Sequence, residues 1–272
     1  MVIPLTARFD LAGGGRWTSL SGGGREWLWS RPDPARAAAV PGSEFVDVGG
    51  LEECVPTVRG LPDHGDAWTR PWTGSPALST VSCDRFELTR AVDDEAGAVV
   101  ATYRLSADPG FRFLWAAHAL LDLSEKARLL APYGTPTRIF PEAAPQLDVA
   151  WPPGSPYLEG CWPAPSGLEL DRFGPDDGTA VGAVLRCAAV RVEDEADLLD
   201  LRVEAPPEVP AGIALWRNLG GFPDISPYRS IGVEPMLGTV FDLAEAGPGE
   251  AATVPSSGEL TWRLVLAAER MS

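Results

Sequence analysis

Apolar and polar residues follow one another in short runs along this chain, and those runs predict strands rather than helices. Leu198-Leu199-Asp200-Leu201-Arg202-Val203 alternates apolar with charged positions, as a half-solvated antiparallel strand does. Val99 to Leu105, Ala183 to Val192 and Leu260 to Ala268 are strand-like runs of similar length. In Phe113-Leu114-Trp115-Ala116-Ala117-His118-Ala119-Leu120-Leu121, strand alternation puts Leu114, Ala116 and His118 on one face. Only Ser124 to Leu130 resembles a helix, with Ser124 as a cap and Pro132 as its end. The 29 glycines and 27 prolines are spread along the whole length and break the chain into many short segments. The expected fold is all-β, a large antiparallel β-sandwich spanning residues 1–272 as one domain, with the proline-rich stretch from Pro141 to Pro165 as a long excursion. Loops of that length often border binding sites.

Composition narrows the ligand. A hydrophobic fraction of 45% supports a sizeable core, and a net charge of −16 works against duplex nucleic acid and anionic membrane surfaces. Lys126 is the only lysine, so no lysine cluster exists for phosphates. Cys54, Cys83, Cys161 and Cys187 stand apart without CxxC spacing, which signals free thiols rather than zinc or a redox dithiol. The N-terminus has no basic segment followed by an apolar one, and no apolar run approaches the roughly 18 residues of a spanning helix. A cytoplasmic protein with a neutral ligand is expected.

The chain has only two histidines, which confines neutral-pH proton transfer by imidazole to two places. His64 follows Pro62 and Asp63 and precedes Gly65, a combination that favours a turn. Trp68 and Trp72 come soon after, and flat aromatic faces suit the apolar faces of pyranose rings, while Asp63 can bond hydroxyls. A core tryptophan pair beside a surface loop is the alternative. His118 is either a satisfied core histidine or a desolvated general acid. Glu234 stands among Ile231, Val233, Pro235 and Met236, where burial would raise its pKa and suit a general base, unless Arg217 or Arg229 pairs with it. Glu53, Trp216 and Asn218 complete the candidate substrate contacts.

Taken together these segments resemble the aldose 1-epimerase (galactose mutarotase-like) family over most of the chain. Gly14-Gly15-Arg16-Trp17-Thr18-Ser19-Leu20 and Gly24-Arg25-Glu26-Trp27-Leu28-Trp29 are similar to its opening strands, and Gly49-Gly50-Leu51-Glu52-Glu53-Cys54-Val55-Pro56-Thr57 to a motif of its divergent branches. Asp63-His64-Gly65 resembles the family's His-Gly loop, Trp115-Ala116-Ala117-His118 its second histidine strand and Val233-Glu234-Pro235 its late Glu-Pro. The resemblance implies a galactose mutarotase-like supersandwich binding a monosaccharide, without metal or organic cofactor, as a monomer or homodimer. It implies that Glu234 takes the anomeric hydroxyl proton, His118 protonates the ring oxygen and His64 holds or polarises it. Two departures stand out. The family's Arg-x-x-Asn-Arg element is missing, with Glu52-Glu53-Cys54 in that region, and the substrate-binding aspartate has four candidates in Asp148, Asp171, Asp176 and Asp177.

Three other readings compete with anomer exchange. A non-catalytic carbohydrate-binding or sugar-sensing protein would keep the fold and the tryptophans. A glycoside hydrolase or lyase would need two carboxylates flanking one bond, for which Glu53 and Glu234 are the pair to test. A metal site could draw on the two histidines with Glu53, Asp63 or Glu234, although no short metal-binding spacing is present.

Overall fold

A computed structural model describes residues 1–271, and nearly all of its regular structure is antiparallel β. One sheet has nine strands, including Phe86–Glu95, Ala98–Ala107, Asp197–Glu204 and Glu259–Arg270. The facing sheet has ten, with Pro136–Ile139, Thr179–Leu185, Ala211–Leu219, Arg229–Leu237, Trp115–Leu121 and Leu51–Cys54 side by side in that order. The expected strands at 99–105, 198–203 and 260–268 lie inside longer ones. Among the described residues no helix is long and apolar enough to cross a membrane.

Two local expectations are corrected. The run Ala183 to Val192 is two strands, Thr179–Leu185 and Ala189–Asp194, because the chain turns at 186–188 and passes from one sheet to the other. Ser124 to Leu130 is not a helix: a turn is followed by the strand Arg128–Leu130, which pairs with Ala189–Asp194. Two bulky leucines, Leu129 and Leu130, beside a free sheet edge favour that ladder over a single helical turn.

Alternation along the strands of the larger sheet decides what its two faces hold. Trp115, Ala117 and Glu53 point toward the nine-stranded sheet, where Tyr103, Leu264 and Trp262 join them in the main core. The next residues in each strand point outward, and there a second apolar cluster of Cys54, Val58, Ala116, Phe140, Val184, Ala214, Met236 and Phe241 lies under the loops. Register lines up the outward residues in rows across the sheet. His118 pairs with Glu52 on one side, and the register that matches Ala116 to Met236 and Leu120 to Gly232 sets it opposite Glu234 on the other. The same row continues to Ala214, Val184 and Arg138. Two residues further along, the parallel row reads Leu120, Gly232, Trp216, Gly182.

Candidate active site

His118 and Glu234 of the first row and Leu120 and Trp216 of the second form the floor of a cavity of about 580 Å³, walled by segments that carry Phe45, Asp47, Arg59, His64, Glu142 and Tyr228. Its depth comes from glycine. A Cβ on Gly232 would strike Glu234 Oε1, and one on Gly182 would strike the Arg59 guanidinium, so side chains at either position would fill the space the functional groups occupy.

Glu234 is 2% exposed and His118 7%. His118 Nε2 lies 3.7 Å from Glu234 Oε1, close enough for strong coupling but too long for a hydrogen bond. Glu234 Oε2 is buried with no hydrogen-bond partner among the described residues. Burial pushes the Glu234 carboxyl up, and the charges of His118 and Arg59 only partly oppose this. Burial pushes the His118 imidazole down, with Glu234 pulling the other way. The sheet thus holds a buried carboxyl and imidazole whose ordinary values have been drawn toward each other, with one carboxylate oxygen unsatisfied.

His64 enters from the turn that its sequence suggests. Both His64 and Gly65 take left-handed backbone, with φ of 54° and 82°. That conformation is costly for a histidine, and three backbone bonds hold it: His64 N–H to Val58 O, Gly65 N–H to Pro62 O and Asp66 N–H to Val55 O. Its Nδ1–H donates to Asp63 Oδ1 at 2.8 Å, which fixes the tautomer because a carboxylate only accepts. Asp63 Oδ2 accepts the Phe45 N–H at 2.7 Å, and the Phe45 ring lies flat on the imidazole at 3.8 Å. Burial works to raise the Asp63 carboxyl, but the bond and charge of His64 outweigh it and hold the group low. The His64 and His118 rings meet edge to face at 5.1 Å.

His64, His118, Glu234, Asp63 and Trp216 therefore converge on one cavity. The other expected contacts do not. Trp68 is buried at 1% exposure, donating its indole N–H to the Asp63 carbonyl at 2.9 Å, and Trp72 packs in the core against the Arg90 guanidinium. Neither lines the cavity, so neither can stack on a ring there. Glu53 faces the sandwich interior, on the opposite side of the sheet from Glu234, so these two carboxylates cannot flank one bond. Asn218 is fully buried and ties down the following loop through Phe222 O, Tyr228 O and the Gly221 and Phe222 N–H groups. Arg217 and Arg229 bind Gln146 and Asp176 rather than Glu234. None of the four aspartates lines the cavity; Asp171 pairs with Arg128, Asp176 with Arg229 and Asp177 caps Thr179.

Several lining groups lay outside the sequence reading. Phe45 and Asp47 belong to a loop that precedes the Gly49-Gly50 motif, and Tyr228 Oη donates to Asp47 Oδ2 across 181 residues of chain. Arg59 stands five residues before His64, a proximity that could have drawn attention to it. Glu142 opens the proline-rich excursion. The two meet as an ion pair, Arg59 Nη1 to Glu142 Oε1, at 2.5 Å, with the guanidinium over the Phe241 ring. No cluster of three or more histidine, cysteine or acidic side chains among the described residues is arranged to hold a metal ion.

No family model and no curated protein sequence matches this chain. Solved structures do. The Slr1438 protein from Synechocystis superposes with a TM-score of 0.68 at 14% identity, covering 99% of this chain and 96% of that one. A galactose mutarotase related enzyme from Lactobacillus acidophilus gives 0.66 at 13% identity over 100% and 98%. A galactose mutarotase-like protein from Lactobacillus casei gives 0.65 at 14% identity over 99% of both chains. The fold is the galactose mutarotase-like β-sandwich; at these identities the likeness extends to the fold alone.

Proposed function

We propose that this chain is an aldose 1-epimerase of the galactose mutarotase-like family, exchanging the α and β anomers of a free, unphosphorylated aldose. The observation that carries the proposal is the buried pair His118 and Glu234, set opposite each other on adjacent strands with an unpartnered carboxylate oxygen beside a sugar-sized space. Two structural neighbours are named for galactose mutarotase, which agrees with this reading.

Ring opening needs one proton removed and one delivered. Glu234 accepts the proton of the anomeric hydroxyl, the freed electron pair forms the C1 carbonyl, and the C1–O5 bond breaks as O5 takes a proton from His118. Rotation about C1–C2 and reclosure with the roles reversed yields the other anomer. Each positioned group contributes about 10²–10⁴-fold. His64, oriented by Asp63 and by the face of Phe45, holds the ring oxygen's side of the site. The cavity's two arginines are already opposed by acids, Arg31 by Asp33 and Arg59 by Glu142, and Asp47, Asp63 and Glu234 add further negative charge. That balance disfavours a phosphorylated substrate and favours a neutral one.

Polarimetry or NMR anomer exchange on a panel of aldoses tests the reading. Acceleration over buffer for at least one neutral aldose is expected. Tight sugar binding without any acceleration would instead support a non-catalytic carbohydrate-binding protein, and acceleration confined to sugar phosphates would overturn the charge argument.

A further inference from the structure

The second row of the floor acts as a ruler. Glu234 and Gly232 share one strand, Trp216 lies on the next and Gly182 on the one after, so Gly182 is two strand spacings, about 10 Å, from the Glu234 strand. The Arg59–Glu142 pair sits over Gly182, at the end of this row away from the acid–base pair. Both residues line the cavity, and the Arg59 charge is felt at Glu234. Trp216 occupies the row position between them and lines the cavity. A six-membered ring with its anomeric carbon at Glu234 therefore lies over Trp216 and directs its opposite edge at Arg59 and Glu142.

We propose that Arg59 and Glu142 form a clamp for the two adjacent hydroxyls on the sugar edge opposite the anomeric carbon, which makes this pair the determinant of sugar choice; the inference rests on the anomer-exchange reading of the same cavity. Glu142 Oε1 is engaged by Arg59, but Oε2 is a buried acceptor with no partner among the described residues, and it needs an O–H donor. The guanidinium keeps donors to spare after its bond to Glu142, and these suit the oxygen of a neighbouring hydroxyl. Because acid and base neutralise each other, the pair recognises a neutral diol. A phosphate or carboxylate at that edge would meet the Glu142 charge. The clamp supplies the polar contacts for which no aspartate of the 148–177 region is placed, and it does so from two loops rather than from a strand.

The test is a substrate-by-variant cycle, with KM and kcat from anomer exchange and Kd from calorimetry, on glucose, galactose and their 3-deoxy and 4-deoxy analogues. Glu142→Gln is expected to raise KM and Kd for the better hexose by about 10- to 100-fold, the range of a hydrogen bond to a charged group, with kcat within a few-fold. One deoxy analogue should show the same weakening with the wild-type chain and little further weakening with the variant. Gly182→Ala provides a second route, since its methyl displaces the far end of the Arg59 side chain and presses on the Phe241 ring beneath it, and it should weaken the parent sugar in the same direction. Equal losses for parent and both deoxy sugars, or no change in KM and Kd, would overturn the clamp while leaving anomer exchange standing. Binding that follows the cycle without catalysis would support the clamp and sink the exchange reading. A wild-type chain that neither binds nor exchanges any aldose overturns both.

Discussion

Glu53 and Glu234 lie in the same sheet and are both removed from water, yet their surroundings differ in kind. Glu53 faces inward and receives four donors: the Trp17 indole, the Arg90 guanidinium and the Tyr103 hydroxyl on Oε1, and the Trp115 indole on Oε2. Glu234 faces outward, with His118 beyond hydrogen-bond distance, and its Oε2 is unpartnered among the described residues. A buried carboxylate with its lone pairs filled ties two layers together. One with a lone pair left open stores desolvation cost that an incoming hydroxyl can relieve. The inventory of partners, more than burial, distinguishes these two acids.

Removing a partner on each side should therefore have opposite consequences. His118→Asn is expected to slow anomer exchange by about 10²–10⁴-fold while the denaturation midpoint moves little, measured by NMR exchange and urea unfolding on one preparation. On the inner face Glu53→Gln leaves the Arg90 guanidinium buried without its counter-charge, and unfolding free energy should fall by about 3–5 kcal/mol. The folded fraction of that variant should keep its exchange rate. If Glu53→Gln abolished exchange without loss of stability, the division between the two acids would be wrong.

A subtler change displaces the outward carboxylate without touching its chemistry. Gly232→Ala places a methyl where Glu234 Oε1 lies, and a misplacement of about 1 Å costs about 10²-fold in rate, with sugar binding largely kept. The smallest effect sharpens the electrostatics. Ring opening requires ionised Glu234 together with protonated His118. Burial holds the first above its ordinary 4.5 and the second below its ordinary 6.5. Activity is lost as pH falls through the raised carboxyl value and again as it rises through the lowered imidazole value. The profile of kcat/KM should be a bell narrower than the ordinary values would give; both limbs belong to the coupled pair. A broad plateau centred above pH 7 would contradict the assignment.

Some of this was legible in the sequence for clear physical reasons. Alternating runs and dispersed glycine and proline specify strands directly, and a carboxylate or imidazole set in an apolar strand, as at Glu234 and His118, is costly enough to stand out. Which face a strand turns to the core is not written in the strand itself. Glu52 and Glu53 are adjacent and therefore on opposite faces; the sequence pointed to Glu53, whereas Glu52 is the one beside His118. There the Arg36 guanidinium engages it at 2.8 Å, and burial still pushes its carboxyl up to about 8. For Trp68 and Trp72 the core alternative holds, since aromatic residues near a histidine serve a core as well as a sugar. Phe45, Asp47, Glu142 and Tyr228 come from loops whose positions depend on distant contacts, such as Tyr228 with Asp47, and no local pattern marks them.

The central claim is that the open valence of Glu234 is catalytic. It is tested most directly by following α-to-β exchange and sugar binding together, by NMR, for the wild-type chain and Glu234→Gln with one neutral aldose. Exchange should fall by about 10²-fold or more in the variant while the sugar still binds in the cavity. Exchange that continues at the wild-type rate in Glu234→Gln would contradict the account.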